Sequence, residues 1–125
     1  MAHVLIAEDE PNIVESLGFI LGRDGHEVVS VADGALALQR VRSQPPDLLI
    51  LDVMLPRLNG FELLKLLRAD VRTQALPVVV LTAKTQAHDR QRAQELGAQA
   101  YITKPFANSE VVATVRRLLA GAGGA

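Results

Sequence analysis

Short apolar runs alternate along the chain with segments in which apolar residues recur at helical spacing. Five of the runs are rich in aliphatic and β-branched residues and are too short for buried helices, so they predict strands. These strands cover residues 4–7, 28–31, 48–51, 78–81 and 101–103. Because the runs at 48–51 and 78–81 are apolar at every position, we expect a parallel sheet with helices on both faces. The pattern predicts an α/β fold rather than a helical bundle.

Four of the intervening segments place their apolar residues on one face of a helix. These faces consist of Ile13, Leu17, Ile20 and Leu21; of Leu36, Leu38 and Val41; of Leu63, Leu64 and Leu67; and of Val111, Val115, Leu118 and Leu119. A further helix is predicted over residues 86–96, but it offers a core only Ala87, Ala93 and Leu96. We therefore expect this helix to be weakly held and able to shift.

Composition excludes several function classes. The chain has 125 residues, 49% of them hydrophobic, which is enough for the core of one domain. A net charge of −1 gives no bulk attraction to nucleic acid or anionic lipid. The absence of cysteine excludes disulfides, thiolate metal sites and thiol catalysis.

Two expectations concern the ends of the chain and its location. We expect one domain over residues 1–120, and a flexible tail or the start of a linker over residues 121–125, which read GAGGA. The apolar stretch at residues 4–7 is too short for a signal peptide or a membrane span. We therefore expect a soluble, cytoplasmic protein.

Four of the predicted strands lead directly into residues that can do chemistry. Three acids follow the first strand, another acid ends the third, a hydroxyl ends the fourth, and an ammonium follows the fifth. These residues are Glu8, Asp9 and Glu10, then Asp52, Thr82 and Lys104. In an open parallel sheet the carboxyl ends of the strands meet at one edge, where ligands bind. The pattern therefore predicts a single polar site.

Grouped carboxylates repel one another unless a cation lies between them, and oxygen ligands with open positions favour Mg²⁺ together with a phosphate. A carboxylate such as Asp52 can also attack phosphorus and form an aspartyl phosphate. Each residue alone has an ordinary structural explanation. Asp9 and Glu10 resemble first-turn acids before Pro11, and Thr82 and Lys104 are common as a strand end and a surface charge.

The stretches AEDEP, LLILDVMLPRLNGFELL, VVVLTA and YITKPF together resemble the response regulator receiver domain of two-component signalling, of the chemotaxis-regulator type. The resemblance covers essentially the whole chain. It implies a flavodoxin-like, doubly wound sheet of five parallel strands in the order 2-1-3-4-5, with five helices. It also implies a phosphorylation-dependent switch that is not an enzyme in the turnover sense.

The resemblance implies a role for each residue at the predicted edge. Asp52 is the expected phosphoacceptor, and Thr82 and Lys104 are expected to bind the phosphoryl oxygens. The expected Mg²⁺ ligands are three carboxylates and one backbone carbonyl, those of Glu8, Asp9, Asp52 and Met54. The bond before Pro105 also resembles the family's cis-prone bond, which could aim Lys104 inward.

Four further expectations concern signalling. Thr82 and Tyr101 match the family's switch pair, whose movement changes the surface of the fourth helix, fifth strand and fifth helix. In the family, the residues two after the phosphoacceptor and two after the threonine influence how water reaches the phosphoryl group, and Met54 and Lys84 match these positions. A bulky apolar side chain and a cation position water poorly, so we expect slow hydrolysis. The expected donor is a histidine kinase or a phosphotransfer protein, and the output is a downstream protein or a fused domain.

The sequence leaves the mode of association open. Receivers of winged-helix transcription factors usually carry two acids before the tyrosine of the fifth strand, whereas this chain reads AQAY. That difference weakens the case for their dimer, although a phosphorylation-linked homodimer stays open. The cationic residues that could contact a partner are Arg90, Arg92, Arg116 and Arg117, and solvated helix faces explain them equally well. We expect no direct contact with nucleic acid or membrane.

Three other kinds of protein share parts of this pattern. A Mg²⁺-dependent phosphatase with an aspartate nucleophile resembles a pattern with a second aspartate two residues on, where this chain has Met54. A flavin or nucleotide carrier of the same fold needs a glycine- or hydroxyl-rich phosphate loop, and AEDEP is acidic instead. A receiver that binds partners without phosphate remains, although all the matching site residues are present.

Overall fold

The computed structural model describes residues 2–84 and 86–123. Strands and helices alternate through these residues. The strands are β1 (His3–Ala7), β2 (Glu27–Val31), β3 (Leu48–Leu51), β4 (Val78–Thr82) and β5 (Ala100–Thr103). The helices are α1 (Pro11–Arg23), α2 (Gly34–Ser43), α3 (Gly60–Ala69), α4 (Ala87–Glu95) and α5 (Asn108–Gly123). Each predicted strand is confirmed to within one residue at either end.

The strands form one parallel sheet in the order β2-β1-β3-β4-β5. This order confirms the expected flavodoxin-like topology. All residues of β3 and β4 are buried, whereas β2 at the sheet edge is largely exposed. The chemistry-bearing residues that end β4 or follow β1, β3 and β5 therefore meet where the carboxyl ends of these strands lie, as parallel strands require.

Helices cover both faces of the sheet, which confirms the doubly wound architecture. On one face, Ala37 of α2, Leu63 of α3 and Ala93 of α4 pack with alternate residues of the central strands. On the other face, Leu17 of α1 and Val115 of α5 pack with the remaining strand residues. This double covering explains why the central strands are apolar throughout.

The predicted face of α2 was wrong at one residue. Leu36 is 48% exposed, and the helix buries Gly34, Ala37 and Val41 instead. Asp33 caps the helix by accepting a hydrogen bond from the Leu36 N–H at 2.7 Å. The buried positions then recur three and four residues apart, and Leu36 lies about 100° around the helix from Ala37.

Helix α4 buries few side chains, as the sequence suggested. Only Asp89 and Ala93 are buried, while Leu96 is half-buried just beyond the helix end and Ala87 is exposed. Its N-cap residue, Gln86, makes no side-chain capping hydrogen bond. Few apolar contacts and an uncapped first turn both favour low local stability.

Helix α5 extends to Gly123, so the expected boundary at residue 121 falls inside this helix. Residues 124 and 125 of the expected tail lie outside the described residues. Within residues 2–84 and 86–123, none of the helices combines the length and the apolar character needed to span a bilayer.

Candidate functional site

The backbone holds Asp52 rigidly at the carboxyl end of the central strand β3. This residue directly follows β3, is 4% exposed, and its N–H donates to the carbonyl of Ala7 at 3.0 Å. Its Oδ1 accepts a hydrogen bond from the Met54 N–H at 3.0 Å. A Cβ added at Gly60 would lie 2.8 Å from the Asp52 carbonyl oxygen and 2.5 Å from Val53 Cα, so this approach requires glycine.

Lys104 brings its ammonium into the site from the end of β5. The backbone N–H of Lys104 donates to the Thr82 carbonyl at 2.9 Å, and the Lys104–Pro105 peptide bond is cis. The Nζ atom lies 2.6 Å from Glu8 Oε1, 2.9 Å from Asp52 Oδ2 and 3.1 Å from Glu10 Oε1. One ammonium therefore contacts three carboxylates.

The buried carboxylate of Glu8 depends on Lys104 for positive charge. Burial raises the pKa of Glu8 above its ordinary value, although Lys104 opposes that shift. Burial also lowers the pKa of Lys104, but its close contacts with Glu8 and Asp52 outweigh that effect and raise the pKa overall. The close approach of Nζ lacks good hydrogen-bond geometry, so Glu8 Oε1 is buried without a hydrogen-bond donor.

Three carboxylates are placed so that they could hold a metal ion. One oxygen from each of Glu8, Glu10 and Asp52 lies within 4.8 Å of the other two. Mg²⁺ prefers hard oxygen ligands and keeps several waters. Three carboxylates, one of which has a buried oxygen without a hydrogen-bond donor, Glu8 Oε1, therefore fit this ion. Asp9, the residue expected in this set, is exposed and does not belong to the group of three.

Thr82 and Tyr101 both lie next to the loop that leaves β4. Thr82 is fully buried, and its hydroxyl accepts a long hydrogen bond of 3.4 Å from the Lys84 N–H. The Tyr101 hydroxyl donates to the Lys84 carbonyl at 2.7 Å. Burial raises the pKa of Tyr101 above its ordinary value, and the charge of Asp89 adds to the shift. Lys84 is therefore connected to both residues of the expected switch pair.

Three of the four arginines considered for partner contacts are engaged within the chain. Arg90 stacks over the Tyr101 ring, 4.7 Å from its centroid, and also donates to the Tyr101 carbonyl. Arg92 stacks over a neighbouring aromatic ring, and Arg116 pairs with Asp24. Arg117 is exposed.

Sequence reasoning missed two features of the site. Glu10, rather than Asp9, shares Lys104 with the two buried acids, and Arg90 covers the Tyr101 ring. The run of three acids signalled the first feature without showing which side chains turn inward. No sequence signal indicated the second, because the two residues lie on different elements.

The chain belongs to the family of response regulator receiver domains, whose family model matches residues 4–116. It is 42% identical over 116 residues to the alkaline phosphatase synthesis transcriptional regulatory protein PhoP of Bacillus subtilis (strain 168). That match covers 93% of this chain and 48% of the relative, so the chain spans about half the length of that protein.

Solved structures give the same result. The signal receiver domain of a signal transduction histidine kinase from Syntrophus aciditrophicus superimposes with a TM-score of 0.90 at 34% identity, covering 97% of this chain and 92% of that one. The receiver domain of the sensor histidine kinase PA1611 from Pseudomonas aeruginosa PAO1 has a TM-score of 0.87 at 29% identity, covering 94% and 97%. The latter structure has a magnesium ion coordinated in its active site cleft.

The protein is thus a signalling domain of the two-component type, and switching by phosphorylation is the general function of its family. Receiver domains of this family bind Mg²⁺ at an acidic site and interact with histidine kinases and output domains.

Proposed function

We propose that this chain accepts a phosphoryl group on Asp52 from a histidine kinase or a phosphotransfer protein. The observation that carries this proposal is the contact of one ammonium, that of Lys104, with the buried carboxylates of Asp52 and Glu8. A buried nucleophilic carboxylate with an adjacent ammonium is the arrangement that phosphoryl transfer needs.

The transfer balances as a displacement at phosphorus. An Asp52 carboxylate oxygen forms the new P–O bond while the P–N bond to the donor imidazole breaks, and its electron pair returns to that ring. Lys104 and the Thr82 hydroxyl bind the phosphoryl oxygens. Glu8, Asp9, Asp52 and the Met54 carbonyl would hold Mg²⁺, which when bound supplies positive charge to the same oxygens.

The signal leaves the site through the loop after β4. When Thr82 turns toward the phosphoryl oxygens, its contact with the Lys84 N–H is lost, and the Tyr101 hydroxyl is bonded to the carbonyl of the same Lys84. We infer that Tyr101 is the second switch residue and that the surface of α4, β5 and α5 changes. The weak anchoring of α4 supports this inference.

The phosphoryl group should be long-lived. Met54 is 56% exposed beside the site, and Lys84 is half-buried in the loop after β4. Neither side chain is a base that could orient an attacking water. Slow loss of the phosphoryl group by the domain itself is therefore its only proposed reaction besides acceptance, with no turnover of a substrate.

The remaining proposals concern context. We assign the receiver domain to residues 1–120 and the following residues, which begin with the last turn of α5, to a tail or linker. The partners are the phosphoryl donor and either a downstream protein or a fused output domain, in the cytoplasm, with no direct contact to nucleic acid or membrane. A phosphorylation-linked homodimer would use the surface of α4, β5 and α5.

The test is phosphorylation by a small donor. The protein is incubated with Mg²⁺ and acetyl phosphate, and its intact mass is recorded beside that of Asp52→Asn. We expect a gain of one phosphoryl group that is lost in the variant and in the presence of a chelator. Absence of any gain in a folded, Mg²⁺-bound protein would refute the proposal and indicate a phosphate-independent interaction module.

A further inference from the structure

The ammonium of Lys104 is shared unequally among its three acids. The side chains of Glu8 and Asp52 are 2% and 5% exposed, whereas that of Glu10 is 60% exposed. Two of the contacts therefore lie inside the protein, and the third, at 3.1 Å, reaches in from the solvent. Glu10 is the one acid of the three that is free to follow a moving ammonium.

A divalent cation and Lys104 compete for the same oxygens. The ammonium lies on Glu8 Oε1 and Asp52 Oδ2, and a cation bound to those two carboxylates would repel Nζ at short range. Lys104 must then leave at least one of them. A buried ammonium without an acceptor is strongly disfavoured, so cation binding is favoured by any carboxylate that can accept the displaced ammonium.

We propose that Glu10 is this acceptor, a positioning residue that strengthens divalent-cation binding by holding the displaced Lys104 ammonium rather than by ligating the ion. The inference rests on the proposed function to the extent that the site binds Mg²⁺. It adds a role to Glu10, and it makes the contribution of Glu10 conditional on the presence of Lys104.

Two other roles for Glu10 make a different prediction. As a direct ligand, which its place in the group of three carboxylates would permit, Glu10 would contribute equally with or without Lys104. If Glu10 acted only as a distant negative charge, its contribution to cation binding would also be the same with or without Lys104. Dependence on Lys104 therefore separates the proposed role from both.

The experiment is a double-mutant cycle read by isothermal titration of Mg²⁺ into the full chain. The proteins are the unaltered chain, Glu10→Gln, Lys104→Met and the double variant. We expect Glu10→Gln to raise the Kd about threefold to fivefold in the unaltered chain. In the Lys104→Met background the same change should alter the Kd by less than about 1.5-fold. Glu10→Asp, which keeps the charge, should recover most of the loss.

A matched control removes a charge elsewhere on the same segment. Glu15 is exposed on α1 and lies outside the group of three carboxylates, so Glu15→Gln should leave the Kd within about 1.5-fold. An equal loss from Glu10→Gln in both backgrounds would overturn the inference and leave phosphorylation of Asp52 standing. Failure of the unaltered chain to bind Mg²⁺ would overturn both proposals.

A second measurement covers the case in which Lys104→Met does not fold. In a crystal structure of the Mg²⁺-loaded chain, we expect Nζ to keep its contact with Glu10 and to lose that with Asp52 or Glu8. A Glu10 oxygen within about 2.1 Å of the ion, the usual Mg²⁺–oxygen distance, would overturn the inference. So would a Lys104 ammonium that has left Glu10.

Discussion

Arg68 should be one of the largest polar contributors to the stability of this domain, although it lies far from the acidic edge. Its guanidinium donates twice to the Gly97 carbonyl, at 3.2 and 2.8 Å, and to Gln99 Oε1 at 3.0 Å. It also donates to the carbonyls of Thr73 and Gln74 at 3.3 and 3.2 Å. One side chain thus joins the end of α3 to two separate turns.

The size of the effect follows from these contacts. The net contribution of a typical hydrogen bond to stability is about 1 kcal/mol. Two of the five Arg68 hydrogen bonds are the short ones, those to Gly97 at 2.8 Å and to Gln99 at 3.0 Å. Burial lowers the pKa of Arg68, which shows that desolvation of the cation offsets part of the gain. We therefore expect Arg68→Met, which keeps the apolar stem, to lower the free energy of unfolding by about 2–3 kcal/mol.

The assay is urea unfolding followed by circular dichroism, with Arg72→Met as the matched control. Arg72 is an exposed arginine whose side chain pairs with Asp70, so its loss should lower the free energy of unfolding far less than the loss of Arg68. The slope of the transition should be unchanged in both variants. Equal midpoints for the two variants would refute the reasoning, because they would show that the half-buried contacts of Arg68 add nothing beyond a surface ion pair.

Three further predictions address the site and the surface. Gly60→Ala should lower the free energy of unfolding by about 1–3 kcal/mol and slow phosphorylation, because the added Cβ collides with the backbone of residues 52 and 53. The control Gly22→Ala has no atom within 4 Å of the added Cβ and should not lower the stability, so equal unfolding midpoints for the two variants would contradict the prediction. The phosphoryl half-life, followed by intact mass, should be minutes or longer and should shorten several-fold in Met54→Asn, which offers water a polar partner; a half-life of seconds in the unaltered chain would be contrary evidence. Hydrogen bonding to Arg72 lowers the pKa of Asp70 to about 2, so the ionised Asp70 stabilises the fold above its unfolded pKa of about 4, and this stabilisation is lost as the pH falls toward 2. Asp70→Asn should therefore reduce the dependence of the free energy of unfolding on pH between about 4 and 2, and an unchanged dependence would count against the proposed role of Asp70.

Most of the regular elements could be predicted because their apolar residues recur at the spacing of a strand or a helix. The runs at 48–51 and 78–81 are buried strands as expected, and Leu17 and Val115 lie in the core. The order of the strands, by contrast, came from resemblance, since spacing does not say which strands are neighbours. The error at Leu36 arose because the phase of α2 is set by its cap and its packing, which a count of apolar residues does not capture.

The convergence of the site residues could be predicted, but their contacts could not. Topology alone brings the ends of β1, β3, β4 and β5 to one edge. Which of three consecutive acids turns toward Lys104 depends on backbone angles in the turn after β1, and the structure selects Glu8 and Glu10. The contacts of Arg68 with Gly97 and Gln99 span 29 and 31 residues, a separation at which no local pattern carries information.

The two ends of α4 are held very differently, and this difference locates the part of the surface that can move. At its C-terminal end, the carbonyl of Gly97 receives two hydrogen bonds from Arg68. At its N-terminal end, Gln86 provides no side-chain cap. The free energy of local opening is lowest where such contacts are few, so α4 should open first at the end nearest Lys84. Lys84, two residues before Gln86 in the sequence, contacts both Thr82 and Tyr101. If Asp52 accepts a phosphoryl group as proposed, the added charge acts next to an end of the helix that lacks a side-chain cap, where a small free energy is enough to change the surface.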